Sequence, residues 1–126
     1  VVPTDVRDRA GVDALVQRTV EEYGRLDVLV NNAGTSSRRT PIDDVDEAHW
    51  DRVVNTNLCR TYFCIKFDLP ELHAARGNIV NISSTWGIKG EALATTYYSS
   101  KAGVVNLTKA LALELDPEVR VIFRGR

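Results

Sequence analysis

The stretch LDVLVNNAG, Leu26 to Gly34, passes from an apolar segment directly into two asparagines, an alanine and a glycine. A short apolar run of this kind suits a strand of a parallel sheet that is covered on both faces. Glycine lets the backbone turn sharply and approach a flat ligand, and asparagine amides bond neighbouring loop backbone. Taken alone, NNAG fits an ordinary strand-end turn as well as a ligand loop. The stretch therefore predicts a strand that ends at a candidate binding loop.

Two later segments have the same apolar character, NIVNI at Asn78–Ile82 and VRVIF at Val119–Phe123. Helical patterns separate the strands: a stripe from Val12 to Tyr23, a pattern from Asp43 to Phe67 that we expect to break in two, and a third from Thr95 to Leu115. This alternation predicts a doubly wound parallel α/β sheet with right-handed crossovers. Ligands of such sheets bind at the carboxyl ends of the strands.

Composition restricts the classes of partner. The chain has 126 residues, enough for one domain, and a net charge of −1, which favours neither nucleic acid nor an anionic membrane. No apolar run is long enough to cross a bilayer and no signal peptide opens the chain. Cys59 and Cys64 are poorly spaced for a bridge, and no Cys/His cluster indicates a metal. We expect reduced, buried thiols in a cytoplasmic protein.

The beginning of the chain suggests an internal piece of a longer protein. The sequence contains no methionine, and its opening VVPTDV resembles the end of a buried strand.

Serines follow the second apolar segment, in SST at Ser83–Thr85. A serine at the carboxyl end of a strand either caps a turn or faces a substrate, and taken alone the first interpretation is favoured.

A tyrosine pair and a lysine lie in the stretch ATTYYSSKAG, Ala94 to Gly103. Positions four apart share a helix face, so Lys101 meets Tyr97, whereas Tyr98 points elsewhere and is expected to pack. An ammonium beside a tyrosine stabilises the phenolate form and prepares it for proton transfer. The alternative is a surface contact between tyrosine and lysine, worth a few tenths of a kcal/mol.

The combination is more specific than any of its parts. Ser84 lies thirteen residues before Tyr97, which lies four before Lys101, and NNAG stands upstream. With LDVLVNNAG, NIVNISS and YYSSKAGVVNLTKALALEL, this pattern resembles the short-chain dehydrogenase/reductase family over nearly the whole chain. The resemblance implies a Rossmann-like fold, an NAD or NADP cofactor and a small alcohol or ketone substrate.

The resemblance also implies catalytic roles. Tyr97 would be the general acid/base, Lys101 would support it and hold the nicotinamide ribose, and Ser84 would bond the substrate oxygen. Asn57, in NTNLCRTYF, matches the helix asparagine that holds a water of the proton relay. Asn55 is the nearby competitor, and its spacing to the following aromatic residue fits less well.

Cofactor contacts are implied at both ends of the dinucleotide. Asp5 matches the acidic residue that accepts from the adenine amino group. Asn31, Ala33 and Gly34 match the cofactor-side loop, and Tyr97 and Lys101 complete the nicotinamide side. No metal is expected.

The chain departs from the family pattern in several places. It lacks the first strand and the glycine-rich turn that receives the pyrophosphate, the following strand, and the segment after the last strand. Arg60 replaces a small residue, and Ile122 stands where the family has asparagine. We therefore expect residues 1–126 to form a partial NAD(P)-binding domain of a single-domain oxidoreductase, inactive by itself.

Two other functions stay open. One is a truncated, non-catalytic module for binding or assembly, and the other is an epimerase or dehydratase that uses the same Tyr-Lys pair. The substrate cannot be read, although Trp86 and Ile88 lie between Ser84 and Tyr97 and would line the cleft.

Two helices carry apolar residues on more than one face and match the family's dimer contact, so the intact protein is expected to be a homodimer or homotetramer. The residues concerned are Leu58, Phe63, Ile65, Val104, Leu107, Leu111 and Leu115.

Overall fold

The structure is a computed structural model and describes residues 1–125. Three strands alternate with four helices, and a π-helical turn at Asn55–Cys59 joins the second helix to the third. In chain order the elements are α1 Arg9–Tyr23, β1 Val28–Asn31, α2 Glu47–Val54, α3 Arg60–Ala75, β2 Asn78–Ser83, α4 Thr95–Leu115 and β3 Arg120–Gly125.

The strands form one parallel sheet in the order β1-β2-β3. Its register sets Leu29 beside Ile79 and Ile79 beside Val121. The three apolar segments that the sequence predicts as strands are all present, with limits that differ by at most two residues. The parallel α/β class is therefore confirmed, and the carboxyl ends of β1 and β2 lie together at one edge.

One face of the sheet carries the core. Alternate residues of β2 and β3 pack there against α3 and the end of α4, because successive strand side chains point to opposite faces. The buried cluster contains Ile65, Leu72, Ile79, Leu115, Val119 and Val121. Three residues of the expected oligomer contact thus lie in the interior: Ile65, Val104 and Leu115. The expectation that they form a contact between subunits is corrected.

The opposite face of the sheet is open. Val28, Val30 and Ile122 are 49%, 54% and 49% exposed, although their neighbours in sequence are covered. Helix α1 packs against α3 on the covered side. The expectation that both faces are covered is therefore wrong for residues 1–125, because the helices in this range lie on one side. The outer edge of β1 pairs with no strand in this range, as expected.

The opening segment is not a strand. Val1 and Val2 are exposed, and the chain turns at Val6 and Arg7 before Asp8 caps α1 by accepting a hydrogen bond from the Ala10 amide. An isolated strand cannot pair its backbone groups, and none of residues 1–125 forms a strand beside this segment.

The long helical pattern divides into two helices as expected, and the π-helical turn connects α2 to α3 without an interruption of the helix. The π turn accommodates one extra residue between α2 and α3. Helix α3 also continues past Phe67 to Ala75, through Pro70. A proline removes one backbone hydrogen bond, yet here it is exposed, and the fully buried Leu72 holds the next turn against the sheet.

Candidate functional site

A cavity of about 160 Å³ lies where β1 and β2 end and α4 begins. The polar groups that the sequence places after two separate strands meet here with one face of α4. The cavity is lined by Asn32, Gly34, Thr35, Ile82, Ser83, Tyr97 and Lys101.

Lys101 is the buried cation of this cavity. Its side chain is 6% exposed, and Nζ donates a hydrogen bond to the carbonyl oxygen of Ile82 at 3.0 Å. The same Nζ lies 5.9 Å from the centroid of the Tyr97 ring, one turn earlier on α4. Strand β2 therefore fixes an ammonium beside the ring of Tyr97.

Asn57 fastens the loop after β1 to α4. Its Oδ1 accepts from the Thr35 amide at 2.8 Å, and Nδ2 donates to the Thr35 carbonyl and to Ser100 Oγ, each at 3.0 Å. Both amide N–H groups are thus used by protein atoms. The residue is buried inside the π turn, whereas its competitor Asn55 is exposed. A water held by Asn57 would need its carbonyl oxygen, which accepts from Thr61 Oγ1, or the second lone pair of Oδ1.

Gly34 is required by this crowding. A Cβ atom there would stand 3.1 Å from Asn57 Oδ1 and 3.7 Å from Lys101 Nζ. A side chain at this position would therefore push on the amide and occupy the approach to the ammonium. Glycine keeps the cavity wall flat enough for a planar ligand to lie against it.

The two serines after β2 have different surroundings. Ser83 lines the cavity, and its Oγ donates to the Lys101 carbonyl at 3.0 Å. Ser84 is buried, does not line the cavity, and its Oγ accepts from the Trp86 amide at 3.3 Å. The capping contact that the sequence allows is thus present at Ser84. A role in binding a substrate oxygen requires Ser84 Oγ to turn toward the cavity.

Tyr98 points away from the cavity. Its hydroxyl donates to Glu91 at 3.0 Å, and its ring stacks on Trp86 with centroids 5.2 Å apart. Desolvation and the Glu91 carboxylate raise the pKa of Tyr98. These contacts make Tyr98 a packing residue and leave Tyr97 as the tyrosine beside the lysine.

Asp5 lies outside the cavity and is paired with Arg7. Its two oxygens accept from the Arg7 amide at 2.9 Å, from Nε at 3.1 Å each and from Nη2 at 2.7 Å, and these bonds hold the pKa of Asp5 at about 2. Three N–H groups of Arg7 make these contacts, because the single Nε–H is shared by both oxygens. Asp5 is therefore already engaged by Arg7 and keeps one acceptor position for a further donor.

Arg60 carries an unsatisfied donor and borders a second, smaller space. Its Nε is buried without a hydrogen-bond partner in the described residues. Arg60 also lines a crevice of about 50 Å³, together with Asn31 and Ala33. The cofactor-side residues are therefore divided: Gly34, Tyr97 and Lys101 surround the cavity, whereas Asn31 and Ala33 border this separate crevice.

The comparisons with known proteins agree with this geometry. The family model for short-chain dehydrogenases matches residues 1–123. The chain belongs to the short-chain dehydrogenase family.

Two curated relatives show how much of a family member the chain represents. It is 43% identical to cis-4-hydroxycyclohexanecarboxylate dehydrogenase of Sinomonas cyclohexanicum, over 89% of this chain and 45% of the relative. It is 40% identical to meso-2,3-butanediol dehydrogenase of Serratia marcescens, over 90% of this chain and 45% of the relative. The chain therefore spans less than half the length of these short-chain dehydrogenases.

A solved structure shows the same arrangement of elements. ElxO with NADP bound superimposes with a TM-score of 0.90 at 36% identity, over 96% of this chain and 50% of that one. The Rossmann-like fold class is confirmed by this likeness for the part of the short-chain dehydrogenase fold that the chain contains.

Sequence reasoning missed several members of the site. Thr35 and Ser83 line the cavity, Ser100 anchors Asn57, and Arg52 reaches Thr35. Thr35 follows NNAG directly and Ser83 precedes the chosen serine, so proximity in sequence was a usable signal for these two. Ser100 and Arg52 become part of the site only through tertiary packing. Within residues 1–125 no group of histidine, cysteine, aspartate or glutamate could hold a metal ion.

Proposed function

We propose that this chain is the catalytic part of an oxidoreductase that transfers a hydride between NAD or NADP and an alcohol or carbonyl substrate. The observation that carries the proposal is the buried Lys101 ammonium, held on Ile82 beside Tyr97 in the cavity at the strand ends. Membership of the short-chain dehydrogenase family supports it. A buried cation beside a phenol in a cleft is an arrangement suited to acid/base catalysis.

The chain's own residues would move the proton. Tyr97 gives its hydroxyl proton to the carbonyl oxygen during reduction, or takes the alcohol proton during oxidation. Lys101 would place its positive charge beside the Tyr97 ring and would bond the nicotinamide ribose when the cofactor is bound. Ser84 would orient the substrate oxygen, and Asn57 would hold the relay water while keeping Thr35 in place. The nicotinamide supplies or accepts the hydride when bound.

The residues present fit one half of the cofactor. The flat wall at Gly34 and the donors of Lys101 suit the nicotinamide ribose. Asp5 would accept from the adenine amino group at the position that its three Arg7 donors leave open. The described residues contain no glycine-rich turn at a helix N-terminus, which is the usual site of the pyrophosphate.

Replacing Tyr97 tests the assignment. In the intact enzyme Tyr97→Phe removes the proton and keeps the ring, so turnover should fall by about a thousandfold or more while nucleotide affinity stays within about threefold. Tyr98→Phe is the matched control and should change turnover by less than about threefold. Near-normal turnover of Tyr97→Phe contradicts the proposal.

The same assay separates the alternatives. Bound nucleotide whose oxidation state does not change with any alcohol or ketone, but with conversion of a nucleotide sugar, indicates an epimerase or dehydratase. An intact protein that binds no nucleotide indicates a non-catalytic module.

We also propose that the intact enzyme is a homodimer or homotetramer through α3 and α4. Tyr62 and Phe63 on α3 and Leu113 on α4 are exposed apolar residues, and Leu113 is 86% exposed. Phe63 already belongs to the sequence-based expectation, and Tyr62 and Leu113 replace its buried members Ile65, Val104 and Leu115. Light scattering of the intact enzyme at micromolar concentration checks this, and a monomer contradicts it.

No helix among residues 1–125 combines the length and apolarity that crossing a bilayer requires. Cys59 and Cys64 are free thiols, which suits a reducing compartment. We therefore propose a cytoplasmic location.

A further inference from the structure

Thr35 is held from two sides in the cavity wall. The Asn57 side chain accepts a hydrogen bond from the Thr35 amide at 2.8 Å and donates one to the Thr35 carbonyl at 3.0 Å. From the other side, Arg52 Nη1 donates to Thr35 Oγ1 at 3.2 Å. The backbone contact is explained by the family asparagine, whereas the side-chain contact comes from a residue that the proposed mechanism does not use.

Arg52 is itself oriented by a histidine. Arg52 Nη2 lies 3.2 Å from His49 Nδ1, three residues earlier on α2, so both side chains share one face of that helix. His49 Nε2 lies 2.8 Å from Ser37 Oγ, two residues after Thr35. Two side chains of α2 thus form hydrogen bonds with the loop, at Thr35 and at Ser37.

The chemistry of these groups allows one direction for the hydrogen bonds. A guanidinium has only donors, so His49 Nδ1 must present its lone pair to Arg52. The proton of the neutral ring therefore sits on Nε2 and is donated to Ser37 Oγ. Ser37 in turn donates to the Arg38 carbonyl at 3.0 Å, which completes the chain. If the His49 ring were an imidazolium, its Nδ1–H group and the Arg52 Nη2 group would be two donors facing each other.

This direction excludes a tempting alternative. A serine 2.8 Å from a histidine resembles a nucleophile with its base. A base must accept the hydroxyl proton, whereas Arg52 occupies the only lone pair of the neutral His49 ring. The pair can therefore hold the loop but cannot activate Ser37.

We propose that Arg52 and His49, the latter locked in its Nε2–H tautomer, are positioning residues that hold Thr35 and the loop to Arg38 as one wall of the Tyr97–Lys101 cavity. The positioning role rests on the proposed function, because it acts through Thr35 on the substrate cleft. The tautomer rests on geometry alone and can be tested without activity.

The first experiment reads the His49 ring in the full 126-residue chain by long-range proton–nitrogen correlation spectroscopy. We expect Nε2 protonated and Nδ1 unprotonated as one stable form. Arg52→Met keeps the aliphatic stem and removes the donors, so the ring should then average between tautomers. Arg38→Gln removes a positive charge from the same loop but keeps the backbone carbonyl that accepts from Ser37, so the spectrum should stay unchanged. An Nδ1–H ring, or averaging in the unaltered chain, overturns the inference.

The second experiment measures the intact enzyme. Arg52→Met should lower kcat about fivefold, the effect of one ordinary hydrogen bond, with nucleotide affinity unchanged. His49→Asn keeps an acceptor for Arg52 and should lose less than His49→Gln, which keeps only the donor for Ser37. Arg38→Gln should match the unaltered enzyme.

The outcomes separate the two proposals. Unchanged kcat in Arg52→Met, together with the expected tautomer, overturns the positioning role and leaves the proposed function standing. An intact enzyme without any turnover overturns the proposed function and the positioning role with it, whereas the tautomer is still decided by the spectrum.

Discussion

The two faces of the sheet differ although the same three strands form both. On one face Ile79, Asn81 and Val121 are buried under α3 and α4. On the other, Val28, Val30 and Ile122 are about half exposed. The strand sequences are apolar on both faces, so composition alone does not distinguish them. The helices in the chain decide which face becomes a core.

The same division runs through the candidate site. Asn57, Tyr97 and Lys101 all come from helices of the covered face, and buried hydrogen bonds connect them to the strand ends. Asp5, which is expected at the adenine, is exposed and paired locally with Arg7. The groups suited to proton transfer are therefore built by the covered side, and the expected dinucleotide contacts are only partly present.

The largest test of this division is cofactor binding by the chain alone. A dinucleotide loses several charge-assisted hydrogen bonds without a pyrophosphate turn, each worth about 1.5–3 kcal/mol. Titration calorimetry of the 126-residue chain with NAD and NADP should show no saturable binding below about 1 mM. Micromolar binding would show that the covered side suffices to hold the cofactor.

A core substitution compares the faces directly. Ile79→Ala should lower the free energy of unfolding by about 3 kcal/mol, because it opens a cavity among fully buried side chains. Val30→Ala on the open face should cost about 0.5 kcal/mol. Urea unfolding measures both. Equal losses would mean that the open face is covered in solution, for example by a second copy of the chain.

The pH dependence of the free energy of unfolding tests the burial of a carboxyl group on the covered side. Asp68 is 2% exposed on α3, and desolvation together with the nearby Asp13 raises its pKa from 3.8 to about 7. Between these two values the folded state keeps a proton that the unfolded state has released. The free energy of unfolding should therefore decrease by roughly 3 kcal/mol as the pH rises from about 4 to about 7.

Asp68→Asn isolates this contribution. The amide cannot titrate, so the difference between the variant and the unaltered chain, measured by urea unfolding across this range, removes the contribution of every other carboxylate. A difference that is independent of pH would show that Asp68 reaches water.

The smallest effect on folding is expected on the open face. Val28→Thr and Val30→Thr should change the free energy of unfolding by less than about 0.5 kcal/mol. They should nevertheless raise the soluble concentration of the chain, because β1 exposes apolar side chains next to an unpaired edge. Sedimentation of the concentrated chain measures this, and unchanged association would shift attention to Tyr62, Phe63 and Leu113.

The helices and strands were largely predictable because their signals are local. Helix α4 has the limits that the sequence pattern indicates, Thr95 and Leu115, and Gly24 caps α1 in a left-handed conformation. The pairing of Tyr97 with Lys101 follows from helical spacing alone. These features depend on residues a few positions apart, where periodicity and capping decide the structure.

The errors concern relations between distant segments. Apolar strands predict coverage but not which helices provide it, so the exposure of Val30 and the burial of Ile65 could not be read from the pattern. The link from Arg52 through His49 to the loop depends on how α2 lies over that loop. The prediction that VVPTDV ends a strand is wrong for the same reason, because a strand exists only where a partner pairs with it.

The π turn at Asn55–Cys59 constrains the number of residues between α2 and α3. Each residue of an α-helix turns the chain by about 100°, so deleting one residue here would restore regular winding and rotate α2 by that angle against α3. His49 and Arg52 would then leave the loop while Thr61 and Cys64 kept their places. A single-residue deletion should therefore be tolerated in the exposed loop near Gly90 and not between Asn55 and Cys59. Related chains are expected to keep the residue count of this turn and its buried Asn57, whereas exposed positions such as Asn55 can vary.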